Sequence, residues 1–206
     1  MTQNKMLINK VPIIGITGNS GSGKTTVCDI LASYSGHIID ADKAAHKAME
    51  PGKPAYIKIV SAFGPDILSS GNKIDRKKLG SIVFNDINKR TLLESIVHPL
   101  VIEDILTEIS STDALFIAID AVLLVESGLH HHCSTVWLVT APDEARLNRI
   151  IVRDGLSTEA AAARMRNQRD TAPIAAIAQI TIQNDGDIKA LHSRVVTALD
   201  TLEVIK

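Results

Sequence analysis

The eight residues Gly18-Asn19-Ser20-Gly21-Ser22-Gly23-Lys24-Thr25 constrain this chain more than any other feature. They match the spacing G-x-x-x-x-G-K-[ST], in which glycines let the backbone close around an anion and the lysine and hydroxyl complete the cradle. An apolar run, Val11 to Ile16, leads into the loop, and Thr25 to Leu31 reads as the helix that follows. Strand, glycine-rich turn and helix N-terminus together bring N–H groups and the positive helix end onto bound phosphate. The pattern predicts Lys24 on the β and γ phosphates of a nucleotide and the Thr25 hydroxyl on Mg²⁺.

Further strand candidates are His37 to Ile39, Ala114 to Ile119, Thr135 to Val139 and Ile180 to Ile182, separated by helix-length segments. Runs apolar on both faces, such as Leu115-Phe116-Ile117-Ala118-Ile119, suit a parallel sheet covered on both sides by helices. A C-terminal helix carrying Ile188, Leu191, Val195, Leu199 and Leu202 on one stripe is predicted to pack on that sheet. The roughly seventy residues between the second and third strand candidates read as entirely helical, with a kink or new helix start at Pro99. An insertion of that size fits a wall of a substrate site or a structural cap, with ligands beyond the carboxyl ends of the strands.

Composition removes several classes. With 206 residues and 45% hydrophobic content the chain supports one sizeable core and is not disordered. Six aromatic residues offer little platform for stacking bases, and 22 basic against 23 acidic residues give no overall field for a polyanion, so nucleic acid is not an expected partner. Cys28 and Cys133 show no metal spacing, no run approaches the ~20 apolar residues of a membrane span, and no signal-peptide pattern opens the chain; a cytoplasmic protein is the expectation.

A phosphate loop leaves the reaction open among switch GTPases, motor or transport ATPases and small-molecule kinases. Asn72-Lys73-Ile74-Asp75 has the letters of a guanine-reading motif but sits in a polar turn with no Asp-x-x-Gly between it and the loop, and is read as accidental. Two carboxylates, Asp40 and Asp42, follow the second strand candidate. One is suited to cap the next helix; the other, assigned to Asp42, to accept the proton of an attacking hydroxyl. Asp120 ends the apolar run at Ile119, where an acid can hold Mg²⁺ directly or through water. Six of the nine arginines (Arg146, Arg149, Arg153, Arg164, Arg166, Arg169) fall within 24 residues, in two short helices joined at Asp154-Gly155. A lid closing over ATP needs such charge on the transferring phosphoryl group, although part of it can be a solvated helix face. His130-His131-His132 reads as a surface loop, because consecutive residues do not converge on one ion.

In order along the chain, Gly15 to Thr25, Ile39-Asp40-Ala41-Asp42, Phe63-Gly64, Ile74-Asp75-Arg76-Lys77, Val97-His98-Pro99, Leu123-Leu124-Val125-Glu126, Arg149 to Asp154, and Asn184 resemble the dephospho-CoA kinase family. The resemblance implies an α/β P-loop NTPase three-layer sandwich with a five-stranded parallel sheet, a helical CoA-binding insertion and a lid. The expected layout is a single domain over 1–206, with a core at 10–50, 111–147 and 174–206, an insertion at 51–110 and a lid at 148–173. It implies transfer of the ATP γ phosphate to the 3′-hydroxyl of dephospho-CoA, the last step of coenzyme A synthesis, with Mg²⁺. A nucleoside or nucleotide kinase of the same fold and a non-catalytic nucleotide-binding regulator are the alternatives. By the same resemblance Gly18, Asn19, Ser20, Gly21, Ser22, Gly23, Lys24, Thr25, Thr26, Arg149, Arg153 and Asn184 are expected at ATP. Asp42, Arg76 and His98 are expected at the acceptor. Val122 stands where the family commonly has Pro, and Gln179 where it commonly has Asp.

Overall fold

The computed structural model describes residues 11–168 and 170–203. Five strands, β1 (Ile13–Thr17), β2 (His37–Asp40), β3 (Ile117–Asp120), β4 (Thr135–Thr140) and β5 (Ile180–Gln183), form one parallel sheet in the order β2-β3-β1-β4-β5. Ile13 pairs with Ile117, Ile14 with Thr135, and Trp137 with Ile180. Burial follows this order. Central β1 is buried at every residue and β4 at all but its last, whereas edge strands β2 and β5 are only partly buried. Central strands of a parallel sheet are covered on both faces, which explains their unbroken apolar runs. Helices α1 (Lys24–Ser33) and α9 (Ile188–Asp200) cover one face, where Val27, Leu31, Leu191, Val195 and Leu199 meet Ile14, Ile16, Phe116, Trp137 and Ile182.

Three expectations change in detail. The third strand starts at Ile117, since Leu115 is 57% exposed ahead of the sheet. Ile188 is likewise 59% exposed: it opens α9 immediately after the N-cap Asp187, ahead of the face that meets the sheet. The segment from 41 to 111 is not wholly helical. It contains α2 (Ala41–Ala48), α3 (Pro54–Phe63), α4 (Arg76–Phe84) and α5 (Ile87–Ser110), with a 3₁₀ turn at Pro65–Ile67 and an antiparallel bridge between Leu68 and Ile74. Inside that bridge Asn72 takes φ 55°, and Asp75 caps α4 by accepting from the Lys77 and Lys78 amides. These turn and capping roles account for the four residues that mimic a guanine-reading motif.

Two compact units divide the chain: the described residues up to Ile39 with those from Thr112 onward, and Asp40–Ser111. In the second, α5 packs against α2, α3 and α4 along Val97, Val101, Ile105 and Ile109, one residue per turn. Pro99 lies inside α5 without restarting it, on the exposed side. Asp86 caps α5 through the Asn88 and Lys89 amides. Among the described residues no helix is long and apolar enough to cross a membrane.

In the first unit, α6 (Asp143–Asp154) follows β4 and α7 (Thr158–Arg166) follows α6; a short α8 (Ala172–Ala175) precedes β5. Gln179 does what a shorter side chain does less readily. Its amide N–H donates to the Val136 carbonyl at 3.0 Å, while its side-chain Oε1 accepts from the Val136 N–H at 2.7 Å and Nε2 donates to the Ile177 carbonyl. One residue thereby satisfies both backbone groups of Val136 where β5 begins. Gln179→Leu leaves the Val136 N–H without that acceptor and is expected to destabilise the fold by about 1–3 kcal/mol. Urea unfolding measures this, and a variant as stable as the parent contradicts the role.

Candidate functional site

β1 delivers the chain to the phosphate loop at the carboxyl edge of the sheet. Thr17 is fully buried and its hydroxyl donates to the Val122 carbonyl at 3.4 Å. This tie uses the backbone of residue 122, so it does not depend on the side chain that departs from the family pattern. Beyond Thr17 the loop closes with an Asn19 carbonyl to Ser22 amide bond of 3.1 Å, and Gly23 at φ 98° serves as the N-cap of α1. No side chain caps this helix, so its first-turn amides face outward at the positive end of the helix dipole.

The loop carbonyls are held from outside. Lys24 Nζ donates to Gly18 O at 2.9 Å, Arg146 Nε to Ser20 O at 3.2 Å, and Arg149 to Gly21 O at 3.1 Å and Ser22 O at 3.4 Å. Asn184 Nδ2 adds a bond to Ser22 O at 2.8 Å. In a planar trans peptide the N–H points opposite to the C=O. Cations on the carbonyls of Ser20 and Ser22 therefore turn the amides of Gly21 and Gly23 the other way, which is how a backbone nest presents positive charge to an anion. Close packing accompanies the bonds: a Cβ on Gly21 would lie 2.7 Å from the Arg146 carbonyl oxygen, and one on Gly23 would lie 2.1 Å from Asn184 Nδ2. Both glycines also have positive φ, so no L side chain fits either position without strain. The buried Ser22 hydroxyl has no hydrogen-bond partner among the described residues.

Asn184 is only 6% exposed, directly after β5, and its side-chain and backbone oxygens both accept from Arg149 at 3.3 Å. It thus joins β5 to the loop. Arg153, by contrast, is more than half exposed; it pairs with Asp154 at 2.8 Å and reaches the Ser20 hydroxyl at 3.1 Å. Asp154 also pairs with Arg164 at 2.7 Å. The bond to Arg153, and the charges of both arginines, hold the Asp154 carboxyl below the usual range, and Asp154 in turn raises Arg153. Arg166 is exposed at the end of α7, and Arg169 lies outside the described residues.

Sequence reasoning assigned no separate role to Arg146, whose contact with Ser20 spans 126 positions. The signal was present in the spacing Arg146, Arg149, Arg153, which places three guanidinium groups along one face of α6. Thr25 and Thr26 stand in the first turn of α1, Thr25 exposed. Asp120 ends β3 and pairs in register with Ile16, one strand away from the chain that enters the loop.

In the other unit, Asp40 caps α2 by accepting from the Lys43 amide at 2.8 Å and pairing with Lys43 Nζ at 3.0 Å. Burial raises its carboxyl, but these contacts outweigh it and the net direction is down. Asp42 is exposed in the first turn of α2. Arg76 lines a cavity of about 690 Å³ with His46, Met49, Glu50, Lys73 and Ile74. His98 is half-buried on α5 and is not part of that lining. His130–His132 form a 3₁₀ turn with Leu129, and among the described residues no group of three or more His, Cys, Asp or Glu is placed to hold a metal ion.

A phosphate-binding loop on a parallel sheet, a separate helical unit and an arginine-rich helix pair point to nucleotide binding, and comparison with known proteins gives the family. The sequence model of the dephospho-CoA kinase family matches residues 12–190. A dephospho-CoA kinase of Carboxydothermus hydrogenoformans is 38% identical over 192 residues, covering 92% of this chain and 93% of its own. One from Geobacter sulfurreducens is 40% identical over 187 residues, covering 89% and 94%. The solved structure of dephospho-CoA kinase from Campylobacter jejuni superposes with a TM-score of 0.67 at 32% identity, over 92% of this chain and 96% of that one. With the loop, the sheet order and near full-length similarity in agreement, this chain belongs to the dephospho-CoA kinase family.

Proposed function

We propose that the protein transfers the γ-phosphoryl group of ATP to the 3′-hydroxyl of dephospho-CoA, giving coenzyme A and ADP. The observation that carries this reading is the set of loop carbonyls drawn outward by Arg146, Arg149 and Asn184, which leaves the Gly21 and Gly23 amides for phosphate in a chain of this family. A nucleoside kinase or a regulator without turnover would share the loop; similarity over nine-tenths of the chain to dephospho-CoA kinases favours the acceptor named here.

The acceptor oxygen attacks the γ phosphorus in line, the bond from that phosphorus to the β–γ bridging oxygen breaks, and ADP leaves. Asp42 accepts the proton of the hydroxyl. Its place in the first turn of α2, with Asp40 already committed to capping, supports that role. The Lys24 ammonium lies 2.9 Å from the Gly18 carbonyl and would exchange this contact for the β and γ phosphate oxygens. Gly18 to Thr26, Arg149, Arg153 and Asn184 form the ATP side of the reading, and residues 148–173 a lid. Residues 51–110 form the acceptor side, where Arg76 and His98 would contact dephospho-CoA.

Thr25 and Asp120 fit Mg²⁺: both offer hard oxygen donors, and two protein donors are what this ion commonly takes when nucleotide phosphates and water fill its other positions. When bound, the ion neutralises charge on the β and γ phosphates. Neither Cys28 nor Cys133 is in a disulfide, and burial pushes the Cys133 thiol up to about 12.

An ADP-release assay with dephospho-CoA beside adenosine, AMP and CMP tests the acceptor. Turnover is expected with dephospho-CoA, and its absence overturns the reading. Asp42→Asn is expected to lower kcat about 10²–10⁴-fold, the range of a positioned general base, with ATP affinity retained. Turnover within a few fold of wild type removes Asp42 from the chemistry. Lys24→Ala is expected to abolish nearly all turnover, because charge on the transferring group goes uncompensated. Steady-state constants like those of the parent would contradict that.

A further inference from the structure

Arg146 belongs to none of the phosphate contacts read from the family resemblance, yet its guanidinium is one of the most fully committed charges in the first unit. Its side chain is 12% exposed. Nε donates to Ser20 O at 3.2 Å, one terminal nitrogen to Asp143 Oδ1 at 2.8 Å, and the other to Gln168 Oε1 at 2.5 Å. Three segments therefore meet on one planar cation: the phosphate loop, the first turn of α6, and the chain just beyond α7. The last of these links matters because α6 and α7 are not tightly closed on each other. A cleft of about 410 Å³, lined by Asp143, Arg146, Leu147, Ala162 and Met165, lies between them. The Gln168 amide gives its oxygen to Arg146, while its Nε2 is buried with no partner among the described residues.

We propose that Arg146 is a positioning residue for the nucleotide: it holds the Ser20–Gly21 peptide with its N–H on the phosphate side, and Gln168 holds Arg146 in that pose. Peptide planarity acts here together with the close approach of Gly21 to the Arg146 backbone. With the carbonyl pinned by a largely buried guanidinium and the next residue pressed on α6, the peptide has little freedom to flip. A flipped peptide would aim a carbonyl oxygen at the phosphates in place of an N–H. The cost would fall on nucleotide binding before any acceptor arrives. Because Gln168 lies in the segment expected to form the lid, the same bond couples the pose of the loop to the seating of that segment.

This inference rests on the nucleotide half of the proposed function and not on the identity of the acceptor, so calorimetric titration with Mg·ADP alone tests it. Arg146→Met is expected to weaken ADP binding about tenfold, the scale of one lost hydrogen bond to a charged group, and to raise KM for ATP while KM for the acceptor stays unchanged. Arg146→Lys, which keeps one donor, should recover part of the loss. Gln168→Leu should weaken ADP binding in the same direction, and the double variant Arg146→Met/Gln168→Leu should be no weaker than Arg146→Met alone, because the two act through one bond. Thermal unfolding of each variant separates loss of fold from loss of pose. ADP affinity within twofold of the parent in folded Arg146→Met overturns the inference, as do fully additive effects. ADP binding that behaves as expected in a protein inert toward dephospho-CoA would overturn the acceptor and leave Arg146 in place.

Discussion

A backbone that binds phosphate must hide its carbonyls. Each peptide carries an acceptor as well as a donor, and a loop free to rotate would present both to the anion. In this protein the problem is solved by placing two arginines and one amide on the outer side of the loop, at the carbonyls of Ser20, Gly21 and Ser22. Those partners come from far along the chain. Arg146 and Arg149 follow β4, and Asn184 follows β5, so their arrival depends on the order β1-β4-β5 in the sheet. Because the strands are parallel, the residues leaving β4 and β5 emerge at the same edge as the loop leaving β1. The sheet topology and the inner surface of the nucleotide site are thus one constraint seen at two scales.

The same arrangement explains the distribution of burial. β1 and β4 are covered on both faces and adjoin the loop and α6, so the elements that must not move are anchored in the best-packed part of the first unit. The edge strand β5 lacks that coverage, and its start is secured by hydrogen bonds in which Gln179 serves both polar groups of Val136. Asp residues at strand and loop ends set helix starts: Asp40, Asp75, Asp86 and Asp187 each accept from amides in the first turn. The start of α1 is different, because its N-cap is a glycine and its amides are left for a ligand.

What could be read beforehand follows from how local each cause is. The loop was legible because glycine at fixed spacings, a lysine and a hydroxyl are demanded by backbone geometry within eight residues. The strands were legible because burial on both faces removes polar residues from consecutive positions. The helix pair meeting at Asp154-Gly155 was legible from a glycine that ends α6. The antiparallel bridge of Leu68 and Ile74 was not, since a single bridge around a turn leaves no periodic trace. Pro99 misled for a related reason: a ring on the exposed side of a long helix costs one hydrogen bond, and packing of Val97, Val101 and Ile105 outweighs it. The clamp on the loop carbonyls was hidden because its partners lie more than 120 positions away from the residues they hold.

Arg149 and Arg153, one turn apart on α6, show how one helix can serve two physical ends. Arg149 is bound by carbonyls of Gly21, Ser22 and Asn184 and by the Asn184 side chain, so moving it would strip partners from several buried or half-buried acceptors. Arg153 stands more than half exposed, and its partners are the Asp154 carboxylate and the Ser20 hydroxyl. Ion pairs at such exposure contribute little to stability, so their rearrangement costs little. The Asp154 carboxylate, held below the usual range by Arg153 and Arg164, pairs with both of them, and of the two Arg153 reaches the loop. Arg149 is fixed against the loop carbonyls, whereas Arg153 is held only by contacts that rearrange at little cost. The division arises from burial and from the partners each position meets, since the two side chains are chemically identical.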